Sequence, residues 1–191
     1  MLEQKPRKGL PENAKMVFKG LIFEIWQWEQ KMFDGSTDTF EKIWRIPTVE
    51  VIPIVGDKII IEEQDQPNRP GKITLVSGRA DRGDDLLEEA KRELLEETGY
   101  GSDKWELLLD HPGEGKILHQ ISCFIARDCQ KIQEPELDAG EKIRIKMIDF
   151  DEFLMLSDDS RFWAAPHFVN LLLRARFDEA EKEKLRKMIF G

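Results

Sequence analysis

The chain has 191 residues, 40% of them hydrophobic and 35% charged, which is too apolar for a disordered chain and long enough for one domain with a large core. Its net charge of −9 repels nucleic acid backbones and predicts no stable nucleic acid partner. No run approaches the roughly 18 consecutive apolar residues of a membrane span, and two cysteines are too few for a disulfide scaffold, so we expect a cytoplasmic protein with no membrane partner.

The first quarter of the chain predicts a flexible lead-in followed by a β-hairpin. Residues 1–16 are rich in Pro, Gly and charge and show no hydrophobic period, which indicates a loosely held segment. Over residues 17–46, apolar and polar residues alternate on both sides of the Asp34-Gly35 turn, which is typical of a hairpin. Residues 47–191 are then expected to form the main domain, including C-terminal helices.

Within the main domain the pattern predicts strands, one long helix, more strands and finally helices. The long helix spans Asp84 to Thr98, where Leu, Glu, Ala, Lys and Arg dominate, and Gly99 provides its C-cap. This order indicates an α/β fold with helices packed on a mixed β-sheet. The other expected elements are strands at 49–55, 58–64, 105–110, 117–126 and 142–148 and helices at 150–156, 160–175 and 178–190.

A glycine loop leads into the long helix over residues 77–100, and this segment carries the residues best suited to chemistry. Because positions three and four apart share a helix face, Glu93 lies beside Glu96 and Glu97, and Arg92 can reach Glu96. Like charges at these separations destabilise an isolated helix by roughly 0.2–0.5 kcal/mol per pair, a cost that a bound cation would offset. Hard oxygen ligands suit Mg²⁺ or Mn²⁺, which also bind substrate phosphate oxygens. The spacing therefore predicts a metal-assisted phosphate site.

The alternative interpretation of the glutamates is a solvated charged face, which is what most Glu-rich helices present. The glycines on either side of the cluster favour the chemical interpretation, because Gly78 and Gly99 bracket the glutamates at fixed spacing. A chain this acidic also needs cations, either metal ions or well-placed Arg and Lys, to hold an anionic substrate.

Taken in full, the segment resembles the box of the Nudix hydrolase family. That box runs glycine, five residues, Glu, seven residues, then Arg-Glu-aliphatic-any-Glu-Glu-any-Gly-aliphatic. Two positions depart from it, because Asp84 stands where Glu is expected and Tyr100 where an aliphatic residue is expected. The matching positions are Gly78, Arg92, Glu93, Leu94, Glu96, Glu97 and Gly99.

The resemblance implies an α/β/α sandwich that hydrolyses the pyrophosphate bond of a nucleoside diphosphate derivative with Mg²⁺ or Mn²⁺. It implies that Arg92 orients a glutamate and that Glu141, from a loop after the box, completes the catalytic set with Glu93 and Glu96. Glu136 and Asp138 are less favoured candidates for that loop position. The implied metal ligands are Glu93, Glu96 and Glu97, with Ser77 as a further candidate.

Residues 17–153 are most similar to the ADP-ribose and nucleotide-sugar pyrophosphatase branch of that family. This similarity implies a homodimer formed through the N-terminal hairpin. It also implies a substrate site that includes Gly78 and Arg45, with a base stacked on Trp28 or Phe33. Ordinary core packing is the alternative role for these aromatic side chains.

Two other functions remain open at this stage. The chain is also compatible with hydrolysis of nucleoside triphosphates or dinucleoside polyphosphates, and with a Nudix-fold module that binds a nucleotide without hydrolysing it. His111, His119 and His167 lie in separate segments without a metal-ligand spacing, so we expect all three outside the site.

Overall fold

The computed structural model of the chain describes residues 5–67, 69–81 and 85–191. Its helices are α1 (Leu86–Thr98), α2 (Phe150–Met155), α3 (Pro166–Phe177) and α4 (Glu179–Phe190), with a 3₁₀ turn at Leu156–Asp158. Its strands are β1 (Lys15–Lys19), β2 (Phe23–Lys31), β3 (Thr37–Val55), β4 (Lys58–Gln66), β5 (Arg69–Thr74), β6 (Val76–Arg79), β7 (Tyr100–Gly101), β8 (Lys104–His111), β9 (Ile117–Arg127), β10 (Gln130–Lys131) and β11 (Lys142–Ile148).

One large mixed sheet organises these elements. Strands β1, β2, β3, β4 and β11 follow one another in antiparallel order, while β5 joins β4 and β6 joins β3. Strand β3 also pairs in parallel with β9, which pairs antiparallel with β8. The predicted mixed sheet is therefore confirmed, and β7 and β10 form a small separate ribbon.

Helices cover both faces of this sheet. Successive side chains of a strand point to opposite faces, so neighbouring residues of β3 enter different cores. Val51 packs with Ala90 and Leu94 of α1 on one face, whereas Ile52 packs with Phe168 of α3 on the other. The expected α/β/α sandwich is thus confirmed. In the described part of the chain, no helix is both long and apolar enough to cross a membrane; the cytoplasmic location stays a prediction.

Strand β3 is longer than the sequence pattern predicts. Strands β2 and β3 form the expected hairpin, but β3 then continues without a break from the hairpin into the main sheet. Pro47, which has no N–H to donate, lies where the register with β9 shifts between Arg45 and Thr48. A proline is tolerated at such an irregularity, so it does not end the strand.

The segment before β1 makes specific contacts with the hairpin. The guanidinium of Arg7 donates two hydrogen bonds, of 3.0 and 2.7 Å, to the carboxylate of Glu24 and lies 4.1 Å from the ring centre of Trp44. Glu24 also accepts a 3.0 Å hydrogen bond from the fully buried indole of Trp26. The Arg7 hydrogen bonds, acting against burial, lower the pKa of Glu24.

Helix α3 begins at Pro166, not near residue 160 as the sequence pattern suggests. A proline fits the first position of a helix, because its missing N–H would have no intrahelical partner there. The residues before it form an irregular segment held against β5. The N–H of Ile73 donates to Arg161 O at 3.0 Å, and the N–H of Trp163 donates to Ile73 O at 2.8 Å. Because the residues before Pro166 are not helical, Trp163 lies beside β5.

Candidate active site

Three glutamates of α1 form one wall of a cleft of about 740 Å³. The carboxylate of Asp85 caps the first turn of α1, and the helix ends at Gly99, whose φ of 73° is the left-handed conformation that glycine adopts readily. The helical period between these ends brings Glu93, Glu96 and Glu97 to the cleft, as predicted. Asp84, the departure from the family pattern, lies outside the described residues.

Gly78 on β6 lets the strand approach α1 closely. A Cβ atom at this position would lie 1.9 Å from Cδ and 2.0 Å from Oε1 of Glu93. Such distances are far below van der Waals contact, so only a glycine leaves Glu93 in place. Gly78 therefore lines the cleft, where it packs directly against Glu93, a candidate metal ligand.

Arg92 holds the glutamates of α1 in a network. Its guanidinium donates to Glu89 at 2.8 Å and also to Glu93 and Glu96, so the predicted contact with Glu96 is present. Burial alone would lower the pKa of Arg92, but the hydrogen bond to Glu89 and the charges of Glu93 and Glu96 raise it. Arg92 therefore stays a cation that fixes the orientation of two cleft carboxylates.

Glu97 is tied to β6 and to a buried acid that sequence reasoning missed. Its carboxylate accepts a 3.1 Å hydrogen bond from the N–H of Ser77. Glu62 of β4, whose charge helps to raise the pKa of Glu97, is 0% exposed and accepts a 3.4 Å hydrogen bond from Thr74 Oγ1. Its Oε1 has no hydrogen-bond partner among the described residues. Burial raises the pKa of Glu97 well above its ordinary value and that of Glu62 to about 8. A glutamate within the isoleucine-rich β4 was the available signal, because buried acids usually serve function.

Glu141 reaches the same cleft from the loop before β11, as the family resemblance implied. Its N–H donates to Asp138 O at 2.9 Å, which fixes the loop backbone. Burial and the charge of Asp138 raise the pKa of Glu141, and its own charge helps to raise the pKa of Glu93 and Glu97. Glu141 thus shares one electrostatic environment with the carboxylates of α1.

Guanidinium groups line the cleft together with the carboxylates. Burial lowers the pKa of Arg45, and repulsion from Arg79 and Arg69 lowers it further. All three border the cleft. A cluster of cations in a chain with a net charge of −9 indicates a site for a negatively charged ligand.

His119 belongs to the cleft, which corrects the expectation that no histidine does. The parallel register of β3 and β9 places Arg45 opposite His119. Arg45 Nη1 lies 3.2 Å from His119 Nδ1, and Thr48 Oγ1 lies 2.9 Å from Nε2. Burial and the adjacent Arg45 lower the pKa of His119 to about 4. His119 is therefore neutral near pH 7 and helps to position Arg45.

A second buried acid, Glu50 of β3, also borders the cleft. Its Oε2 is buried and has no hydrogen-bond partner in the described part of the chain. Burial raises the pKa of Glu50 to about 7. Like Glu62, it interrupts an apolar strand, and sequence reasoning overlooked it.

The structure does not bring Trp28 and Phe33 to the cleft. Trp28 is buried against Phe40 in the hairpin, with ring centres 6.0 Å apart, so packing is its role in the chain as described. Phe33 is fully exposed at the hairpin turn. Trp163, by contrast, borders the cleft. It was missed because the segment containing it was expected to be helical.

The donor set fits a divalent cation. Across the described residues, no group of three His, Cys, Asp or Glu side chains is already arranged around a metal position, and Arg92 contacts both Glu93 and Glu96. Burial is the main cause that raises the pKa values of Glu93, Glu97 and Glu141, and repulsion from neighbouring carboxylates adds to it, so a cation among them would stabilise their charged forms. Hard oxygen donors with unneutralised charge are the chemistry that Mg²⁺ and Mn²⁺ require.

Comparisons with known proteins show which family and which relatives the chain resembles. The NUDIX domain family matches residues 44–171. The chain is 24% identical over 158 residues to the methanol dehydrogenase activator of Bacillus methanolicus, covering 79% of this chain and 84% of the relative. It is 21% identical over 165 residues to the ADP-ribose pyrophosphatase of Bacillus subtilis strain 168, covering 83% and 89%. A crystal structure of an ADP compounds hydrolase aligns with a TM-score of 0.71 at 21% identity, covering 91% of this chain and 94% of that one.

Proposed function

The chain belongs to the Nudix family of hydrolases, and we propose that it hydrolyses the pyrophosphate bond of an ADP-ribose-like or nucleotide-sugar substrate. The observation that carries this proposal is the pairing of two charge types in one cleft. Carboxylates from α1 and Glu141 can hold metal ions, while Arg45, Arg69 and Arg79 offer cations directly. A diphosphate bound between them would have its charge neutralised by both groups.

Nudix hydrolases use divalent metal ions, and we propose Mg²⁺ or Mn²⁺ for this chain. We assign Glu93, Glu97 and Glu141 as principal ligands, and keep Glu96 and Ser77 as further candidates. When bound, such an ion lowers the pKa of a coordinated water and neutralises charge that develops on the phosphate oxygens.

The protein side chains have separate proposed roles around the substrate. Arg92 holds Glu93 and Glu96 in fixed orientations. Arg45, kept in place by neutral His119, binds a phosphate oxygen. In the described part of the chain the Arg92 hydrogen bonds go to Glu89, Glu93 and Glu96 and not to Glu141, which suits the proposed role of Glu141 as a metal ligand.

A substrate panel tests this function directly. We expect metal-dependent turnover of ADP-ribose or a UDP-sugar to exceed that of dinucleoside polyphosphates and nucleoside triphosphates, measured as the nucleotide products separated by anion-exchange chromatography. Reactions without divalent metal, and reactions with Glu97→Gln protein, set the background. Absence of turnover across the whole panel would contradict the proposed activity, and preference for triphosphates would replace it with the alternative hydrolase function.

A nucleotide-binding module without turnover remains the second candidate. The observation that favours it is the Bacillus methanolicus relative, whose name describes activation of another enzyme and not hydrolysis. Calorimetry on the same panel separates the two functions, because a module would bind a nucleotide that it does not cleave. The complete Arg92 network argues for hydrolysis, since binding alone does not require it.

We also propose that the chain forms a homodimer through its N-terminal strands. Four apolar side chains around β1 and β2 are exposed, and Leu21 is the most exposed at 97%. Light scattering should give about twice the 22.3 kDa monomer mass, and Leu21→Asp should shift the protein toward monomer. Phe177→Asp, at the end of α3, is the matched control and should not change the mass. A monomeric wild-type protein would rule the dimer out. The four exposed apolar side chains around β1 and β2 on which this proposal depends are Val17, Phe18, Leu21 and Phe23.

A further inference from the structure

Trp163 is an exposed aromatic side chain in a cleft that is otherwise strongly charged. Its side chain is 54% exposed, whereas Trp26 and Trp28 of the hairpin are almost completely buried. Single exposed rings are common on protein surfaces, so it is the position of Trp163 at the cleft that makes it a candidate ligand contact.

The ring of Trp163 is held in place on one face. The guanidinium of Arg69 lies 3.6 Å from its ring centre, and Arg69 is fixed in turn by a 3.2 Å hydrogen bond to Gln66. The N–H of Trp163 donates to Ile73 O at 2.8 Å, which anchors its backbone to β5. The guanidinium of Arg69 therefore covers one face of the Trp163 ring, and the rest of the ring forms its exposed surface.

The chemistry of such a ring selects flat, aromatic groups. A nucleobase stacks well on an indole, and the polarised edges of both rings favour an offset stack. Arg69 on the far face would extend the same stack as a third planar layer. A simple hexose, which has no π system, would gain less from this arrangement.

We propose that Trp163 is the base-stacking residue of the cleft, with Arg69 fixing its orientation. This inference rests on the proposed function, because the stacked base belongs to a nucleoside diphosphate whose phosphates lie between Arg45 and the carboxylates of α1. It transfers the stacking role from Trp28 and Phe33, which do not border the cleft, to a residue that does.

The test compares the equilibrium binding of AMP and of ribose 5-phosphate by calorimetry, without turnover. Trp163→Ala should weaken AMP binding about tenfold and leave ribose 5-phosphate binding within about twofold, because only AMP has a base to stack. Trp163→Phe, which keeps an aromatic ring, should recover most of the AMP affinity. Phe177→Ala is the matched control, since Phe177 is an exposed ring that also has an arginine, Arg176, over it at 5.2 Å.

Several outcomes would overturn the proposal. One is unchanged AMP affinity in Trp163→Ala, and another is an equal loss of AMP and ribose 5-phosphate affinity, which would indicate a structural or phosphate-related role. Wild-type protein that binds AMP no better than ribose 5-phosphate would also overturn it. Thermal unfolding of each variant verifies folding. Because the readout is binding, a failed substrate panel and a failed stacking test remain distinguishable.

Discussion

Replacing Glu97 by Gln is expected to lower turnover by about 10²- to 10³-fold while the protein still folds. The amide oxygen of Gln can accept the hydrogen bond from the N–H of Ser77, so the local geometry survives. What is lost is a negative charge at a carboxylate that is 4% exposed and faces the proposed metal position. Initial rates at saturating metal and substrate measure the effect.

The control for this substitution is Glu88→Gln on the same helix. Glu88 is exposed and paired with Lys91 at 2.7 Å, so its loss should change turnover less than about twofold. Glu97→Gln protein with near wild-type activity would refute the ligand assignment.

The same variant gives a stability readout in metal-free protein. Burial raises the pKa of Glu97 and Glu62, so the folded state binds more protons than the unfolded state above the ordinary carboxyl pKa. Wild-type stability should therefore fall as pH rises from about 4.5 toward 8, and Glu97→Gln should flatten that decline. A Glu97→Gln protein that is less active but more stable than wild type at pH 8 would show that Glu97 serves catalysis and not folding.

Gly78→Ala is the second substitution with a large expected effect. The new methyl group would lie 1.9 Å from Cδ of Glu93, so either the carboxylate or strand β6 must move. We expect turnover to fall about 100-fold, because displacing a positioned group by about 1 Å has that cost. The effect on stability should be smaller, because the clashing atoms all belong to the side chain of Glu93, which can rotate away. Initial rates and denaturant unfolding measure the two effects.

Gly101→Ala is the matched control for Gly78→Ala. A methyl group there would also clash with the end of one side chain, Ile132, which is 64% exposed and is not part of the cleft lining. Its turnover should equal that of wild type. If the turnover of the Gly78→Ala protein equalled that of the control, close packing of β6 on Glu93 would have no part in activity.

Helix α1 could be predicted because the residues that specify it lie close together in the sequence. The 3.6-residue period, the capping aspartate and the terminal glycine specify the helix within about 15 residues, and the same period fixes which glutamates share a face. The contact of Arg92 with Glu96 follows from that geometry alone. Glu141 was found only through family resemblance, since nothing near it in sequence ties it to α1.

The cationic side of the cleft could not be predicted, because residues far apart in sequence assemble it. Arg45 meets His119 only because β3 and β9 pair in parallel, across a separation of 74 residues. Trp163 reaches Arg69 because an irregular segment pairs with β5 where a helix was expected. Periodicity reports the face of one element, but it contains no information about which distant strand becomes its neighbour.

The unbroken course of β3 has a consequence for anyone who shortens this chain. At about 3.3 Å per residue, its 19 residues form a rod roughly 60 Å long, with Thr39 near one end and Ile54 near the other. Arg45 lies partway along that rod. Trimming the hairpin to obtain a minimal enzyme would therefore remove the strand that supports Arg45, the proposed phosphate-binding side chain.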